Sequence, residues 1–164
     1  MDDKIEIQKS NYDWLLNSIN SADTKAGYLI ALDLAIMGYL FSRIAGIAEK
    51  TGELSCVIIV ILVTLIFIAI SLFFAIKAIW PRLSSKEHSI FYFNSIILND
   101  RNAYSKTIME TPNTELLKDL SGQVWKISGI LSAKYINIRF SVVFLIIGVF
   151  STIILYVGEA LHVI

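Results

Sequence analysis

From Leu54 to Ile76 the chain reads LSCVIIVILVTLIFIAISLFFAI, 23 residues without a charge. At 1.5 Å per helical residue this run covers about 35 Å, enough to cross a hydrocarbon core of roughly 30 Å. Thr64 and Ser71 are expected to return their hydroxyl protons to carbonyls of their own helix, which makes them cheap to bury. At the far end Lys77 can snorkel and the Trp80 indole suits the headgroup zone. Pro81 then predicts a helix stop. The stretch reads as a transmembrane helix, and it decides the class of the whole protein.

Composition agrees with that reading. Of 164 residues, 55% are hydrophobic and 17% charged, with a mean hydropathy of +0.66. Soluble domains carry roughly 25% charged residues, and small domains bury the lowest fraction of their surface. These numbers argue against a monomeric soluble globule and exclude intrinsic disorder. Net charge is zero and the pI is near 6.7, so no global field recruits nucleic acid. Cys56 is the one cysteine. It cannot form an intramolecular disulfide, and no Cys/His cluster suggests a metal.

Two further runs read as spans. Phe140 to Gly158 is free of charge, with Arg139 before it and Glu159 after it. Ala26 to Phe41 is apolar except for Asp33. Its eight strongly apolar side chains contribute roughly −3 kcal/mol on an insertion scale, where a central Asp costs about +2.5 to +3.5. The two nearly cancel, so this helix is expected to pack Asp33 against protein rather than lipid. The polar first 25 residues do not read as a signal peptide.

Charge sets the expected orientation. Lys4, Lys9 and Lys25 precede the first span, and Lys77 with eight Lys/Arg of 81–139 lies between the second and third; only Arg43 and Lys50 fall elsewhere. The positive-inside rule then places the N-terminus in the cytoplasm. The predicted organisation is a cytoplasmic amphipathic N-terminal helix (1–25), a first span (26–48), an external loop (49–53) and a second span (54–80). A cytoplasmic helical sensor region (81–139), a third span (140–160) and an external C-terminus (161–164) complete it.

The polar parts also read as helical. Tyr12, Leu15, Leu16, Ile19, Ala22 and Ala26 recur at helical steps, with Ser10 or Asn11 as the expected cap. A second helix is predicted over 84–105. Thr111-Pro112-Asn113-Thr114 predicts a break and a restart. Beyond it Leu117, Leu120, Val124, Ile127, Leu131, Lys134 and Ile138 follow a seven-residue repeat, with Lys134 the odd member. If Gly122 and Gly129 are tolerated, one helix runs from Thr114 to Gly158, about 68 Å long, and joins the last span to a cytoplasmic stalk.

Candidate functional residues are few. His88 and His162 are expected on opposite sides of the membrane, and Cys56 has no polar neighbour to form a thiolate. No phosphate loop and no catalytic constellation appear, which argues against an enzyme. Asp33 is an ionisable group within a span and so a functional candidate. It either sits solvated near an interface, or lines an oligomer interface or a water-filled path. Asp23 and Lys25 are either ordinary juxtamembrane polarity or contacts for a ligand or a neighbouring helix. Trp125, followed by Lys126, Lys134 and Arg139, suits stacking on a base with charge for a phosphate. More often such a tryptophan packs between helices.

The run Ala22-Asp23-Thr24-Lys25-Ala26-Gly27, followed by Leu29, Ile30, Ala31, Leu32 and Asp33, resembles the opening of the transmembrane effector family of bacterial Pycsar anti-phage systems. Phe91-Tyr92-Phe93 resembles that family's aromatic segment after the second span. Leu120 to Val124, Ile127, Ser128 and Lys134-Tyr135 resemble its helix leading into the last span. The resemblance implies a two-part defence system. A partner pyrimidine nucleotide cyclase makes a 3′,5′-cyclic mononucleotide such as cCMP or cUMP, and the effector impairs the inner membrane so that the infected cell dies or stops growing.

The sequence thus predicts an all-α integral membrane protein with three spans and cytoplasmic helices, assembled as a homo-oligomer in the lipid bilayer, with no cofactor, metal or nucleic-acid partner. Asp23, Lys25, Arg82, Trp125, Lys134 and Arg139 are the expected ligand contacts, and Asp33 the functional residue of the spans. Two other functions fit the same chain: a ligand-independent, holin-like membrane toxin, or an accessory subunit of a membrane complex.

Overall fold

The structure, a computed structural model, describes residues 2–51, 56–81, 89–90, 96–97 and 100–161. Four helices account for nearly all of them: α1 (Asp2–Thr51), α2 (Cys56–Ile79), α3 (Arg101–Glu110) and α4 (Asn113–Ala160). There is no strand among the described residues. α1, α2 and α4 are each long and apolar enough to cross a membrane.

Breakers set the helix ends. α1 holds no proline over 50 residues, so the helix passes the expected cap at Ser10 or Asn11 and starts at Asp2. At its other end it runs to Thr51, into the stretch read as a loop. α2 stops at Ile79, just before Pro81. The helix predicted over 84–105 is corrected. Much of it lies outside the described residues, but Asp100 is extended (φ −60°, ψ 146°) and its carboxylate accepts from the Asn102 amide at 3.3 Å. That is an N-cap, so a new helix begins at Arg101. Thr111 is held extended by the proline after it. The Pro112 carbonyl then accepts from the Glu115 and Leu116 amides at 2.9 and 3.1 Å, which starts α4. Gly122 and Gly129 do not interrupt it.

The chain forms two compact units. The first comprises Met1–Ser21 and Pro81–Ala133. Leu15, Leu120 and Leu131 are among its buried residues. Its described link segment is tied down by Asp119, whose carboxylate accepts from the Ser89 hydroxyl at 2.9 Å and from the Ile90 amide at 2.8 Å.

The second unit comprises Ala22–Trp80 and Lys134–Ile164. Here α1 and α4 run parallel: Lys25 meets Tyr135 and Arg43 meets Tyr156. α2 runs antiparallel to α4: Phe67 stacks on Phe144, Ser71 meets Ser141 and Ala78 meets Lys134. Each helix presents a seam with alternating three- and four-residue steps. In α1 these are Ala22, Ala26, Leu29, Asp33, Ile36 and Leu40; in α2, Ile61, Thr64, Ile68, Ser71, Ala75 and Ala78; in α4, Lys134, Ile138, Ser141, Leu145 and Gly148. That period keeps one face of a helix on its neighbours. Gly148 makes the closest approach, since a Cβ there would stand 2.5 Å from Ile68 Cδ1.

On the face of α1 opposite its buried seam a second set follows the same steps. Ala31, Ala35, Gly38, Ser42 and Ala45 are all exposed. These are small side chains, where a face in contact with lipid alone would more often carry large apolar ones.

Candidate functional site

The seven-residue repeat of α4 puts a lysine where Leu or Ile would pack. The structure shows what that lysine does. α2 ends at Ile79, so the carbonyl of Ala78 is one of the last four of the helix and has no amide of its own helix to accept from. Lys134 Nζ donates to it at 2.9 Å. The same ammonium donates to Asp23 Oδ1 of α1. One cation therefore clasps three helices: it neutralises a carboxylate of α1, caps the negative end of α2, and stands on α4. The Lys134 side chain is only 8% exposed, whereas that of Asp23 is 36% exposed. A buried ammonium needs a counter-charge, and the carboxylate supplies it from the solvent side.

A rim of exposed groups adjoins the clasp. Lys25 Nζ lies 5.5 Å from the centre of the Tyr135 ring, within cation–π range. Arg139 follows Tyr135 by one helical turn and is exposed, as are Lys25 and Tyr135. One cation over an aromatic face, Lys25 on Tyr135, thus stands next in sequence to the ion-paired Lys134 and two residues from Asp23.

Two turns further along α2 and α4, about 10 Å away, is a second polar group. Asp33 is fully buried. The Ser71 hydroxyl lies 2.9 Å from Asp33 Oδ2, 2.9 Å from the Ser141 carbonyl oxygen and 3.1 Å from Ser141 Oγ. It has one proton to give, so it can serve one of these acceptors while accepting from the Ser141 hydroxyl. Asp33 Oδ1 has no hydrogen-bond partner among the described residues. At the other end of the same helices, the Tyr39 and Tyr156 hydroxyls meet.

The expected site residues fare differently. Asp23, Lys25 and Lys134 come together. Asp23 and Lys25 do not pair with each other; both reach α4, which is the neighbouring-helix alternative. Arg139 stands one turn beyond Tyr135. Asp33 is not at an outward face; it points at α2 and α4 of its own chain, so its burial requires no second copy. Ser71 is corrected too. Thr64 does return its hydroxyl to the Val60 carbonyl at 2.9 Å, but Ser71 reaches across to Asp33 and Ser141. Trp125 belongs to the first unit and is 78% exposed, so it is not packed between helices of this chain. Arg82, His88, His162 and Phe91-Tyr92-Phe93 lie outside the described residues, as does the side chain of Cys56.

Four residues were not singled out as site residues from the sequence: Ser71, Ala78, Tyr135 and Ser141. For Ser71 and Ser141 a signal existed. Ser71 lies seven residues before Ala78 and Ser141 seven after Lys134, on seams that become visible once the repeat of α4 is carried into the span. For Ala78 there was none, because its backbone carbonyl does the work.

The sequence profile of the Pycsar effector protein domain matches residues 9–158. No curated protein and no solved structure matches the chain.

Proposed function

Since the chain belongs to the Pycsar effector family, we propose that it is the membrane-impairing arm of an anti-phage system, switched on by a cyclic pyrimidine mononucleotide. The family and the three candidate spans make it a membrane-associated effector functionally linked to a cyclase. cCMP or cUMP from the partner cyclase is the activating ligand, the N-terminus is cytoplasmic, and the target is the inner membrane. The action is a change in helix packing, without catalysis.

The observation that supports this reading is the grouping of Lys134, Lys25 and Tyr135 where α1, α2 and α4 meet. Cations bind a phosphate and an aromatic ring stacks a base. A ligand held there would touch α1 and α4 together, both of which continue into spans. To act, it must bind the open arrangement better than the resting one.

Self-association is part of the proposal. Its support is the outward face of Ala31, Ala35, Gly38, Ser42 and Ala45, since small residues let helices approach closely in lipid. A second copy of this chain in the same orientation presents the same face.

The test is dye release from liposomes carrying the full chain, with cCMP, cUMP and cAMP compared. Release on adding one of the pyrimidine nucleotides, and not cAMP, is the expected result. Release that ignores every nucleotide would instead indicate the ligand-independent toxin.

A further inference from the structure

We propose that Asp23 is a resident anion on Lys134, occupying in the resting state the place that the ligand's phosphate takes on activation. The inference rests on the reading that an anionic nucleotide switches this effector, and it names the contact that is exchanged.

Four observations carry it. First, a buried ion pair is weak evidence for stability. Replacing a buried ion pair with packed apolar side chains is often neutral or stabilising, so the Asp23–Lys134 pair is better suited to a switch than to a strut. Second, the pair is open on one side. Asp23 is the solvent-facing partner and Lys134 the sheltered one. An anion arriving from solution meets the carboxylate first, and a displaced carboxylate goes out into water. Third, the exchange balances. A cyclic phosphodiester carries one negative charge, as a carboxylate does. Lys134 stays neutralised and keeps its bond to the Ala78 carbonyl. Fourth, the ligand has contacts to gain that differ from those of Asp23. Lys25 and Tyr135, in contact with each other and close in sequence to Asp23 and Lys134, offer charge and a ring face. A larger anion can use them, and the shift in population requires such a difference.

The exchange has a direction. Lys134 remains bound to the end of α2, so α2 and α4 stay joined. α1 alone loses its ionic tie. The buried polar side chain of α1 is Asp33, ten residues on and about 15 Å along the helix, where it meets Ser71. The element released by ligand is therefore α1, which carries the small-residue face.

The experiment uses the full chain in dye-loaded liposomes, with cCMP and cUMP as probes. Asp23→Asn removes the resident anion and leaves the shape. It is expected to leak without nucleotide at about tenfold or more the wild-type rate. Asp23→Glu keeps the charge and is expected to stay tight. The double variant Asp23→Leu with Lys134→Met replaces the pair by apolar packing, and is expected to be tight and deaf to nucleotide. If Asp23→Asn is as tight as wild type, or if the double variant leaks as Asp23→Asn does, the proposal is overturned. A wild type that ignores both nucleotides, beside a leaky Asp23→Asn and a tight double variant, would remove the cyclic pyrimidine as ligand and leave the latch standing. Circular dichroism of each variant in detergent separates leakage by release from leakage by unfolding. A leaky Asp23→Asn that has lost helicity counts against the latch.

Discussion

Asp33 on α1 and Ser71 on α2 stand 38 positions apart in sequence, and their Oδ2 and Oγ atoms are 2.9 Å apart. A carboxylate in a span is expensive, and by insertion energetics the first span is marginal. The serine hydroxyl makes that burial tolerable by giving the carboxylate a donor from protein. Asp33 thereby fixes which face of α1 turns inward and, with Ser141, registers three helices on one point.

Ser71→Ala strands a buried acceptor. The expected cost is about 1–2 kcal/mol, since interhelical hydrogen bonds in membranes are worth less than an orphaned group costs in full. Thr64→Val removes a hydroxyl that bonds only within its own helix, and should cost less than about 0.5 kcal/mol. Denaturant titration of the detergent-solubilised protein measures both. Equal effects would mean that Ser71 does not support Asp33.

Glycines of α4 should divide by neighbourhood. A Cβ on Gly148 meets Ile68 Cδ1 at 2.5 Å and Cγ1 at 3.0 Å, whereas nothing lies within 4 Å of one on Gly122 or Gly129. Gly148→Ala should therefore destabilise by about 1–3 kcal/mol through overpacking, and Ile68→Val, which removes Cδ1, should restore part of the loss. Gly122→Ala and Gly129→Ala should each stabilise by about 0.5–1 kcal/mol, because alanine is the better helix former. Thermal midpoints of the variants distinguish the two classes.

Asp119 holds Ser89 and Ile90 with one carboxylate oxygen. Asp119→Ala leaves the Ile90 amide and the buried Ser89 hydroxyl without that acceptor, at an expected cost of about 1–3 kcal/mol. Amide exchange at Ile90 should accelerate, while exchange in the spans stays unchanged. An unaltered rate at Ile90 would show that the contact does not hold this segment.

The outward face of α1 should read out self-association. A Cβ at Gly38 meets nothing within 4 Å in the single chain and the position is exposed, so Gly38→Leu has room to point away from the protomer. It is expected to lower the oligomer fraction in crosslinking of native membranes, because close helix approach in lipid depends on small residues. Ile66→Leu, on the exposed face of α2, should leave that fraction unchanged.

Trp125 is exposed enough that Trp125→Ala should shift stability by no more than about 0.5 kcal/mol. If it stacks a base, the same substitution should weaken nucleotide binding by about 1–3 kcal/mol, measured by titration calorimetry. Unchanged affinity would exclude it as a ligand contact.

The sequence by itself determined the class, the three spans, the break at Thr111-Pro112 and the family. Each of these follows from local quantities: the length of an uncharged run, a proline, a short motif. Even the heptad of α4 was legible, because it repeats along one helix. Only the tertiary structure decided what the polar members of the seams do. Lys134 is an anomaly in the repeat until Asp23 and the end of α2 are seen around it, and Ser71 is an ordinary helical hydroxyl until Asp33 arrives from another helix. The reason is physical: within one helix a polar side chain has only neighbours three and four residues away. Its partner across the bundle is set by how three helices pack, a register that no single helix encodes.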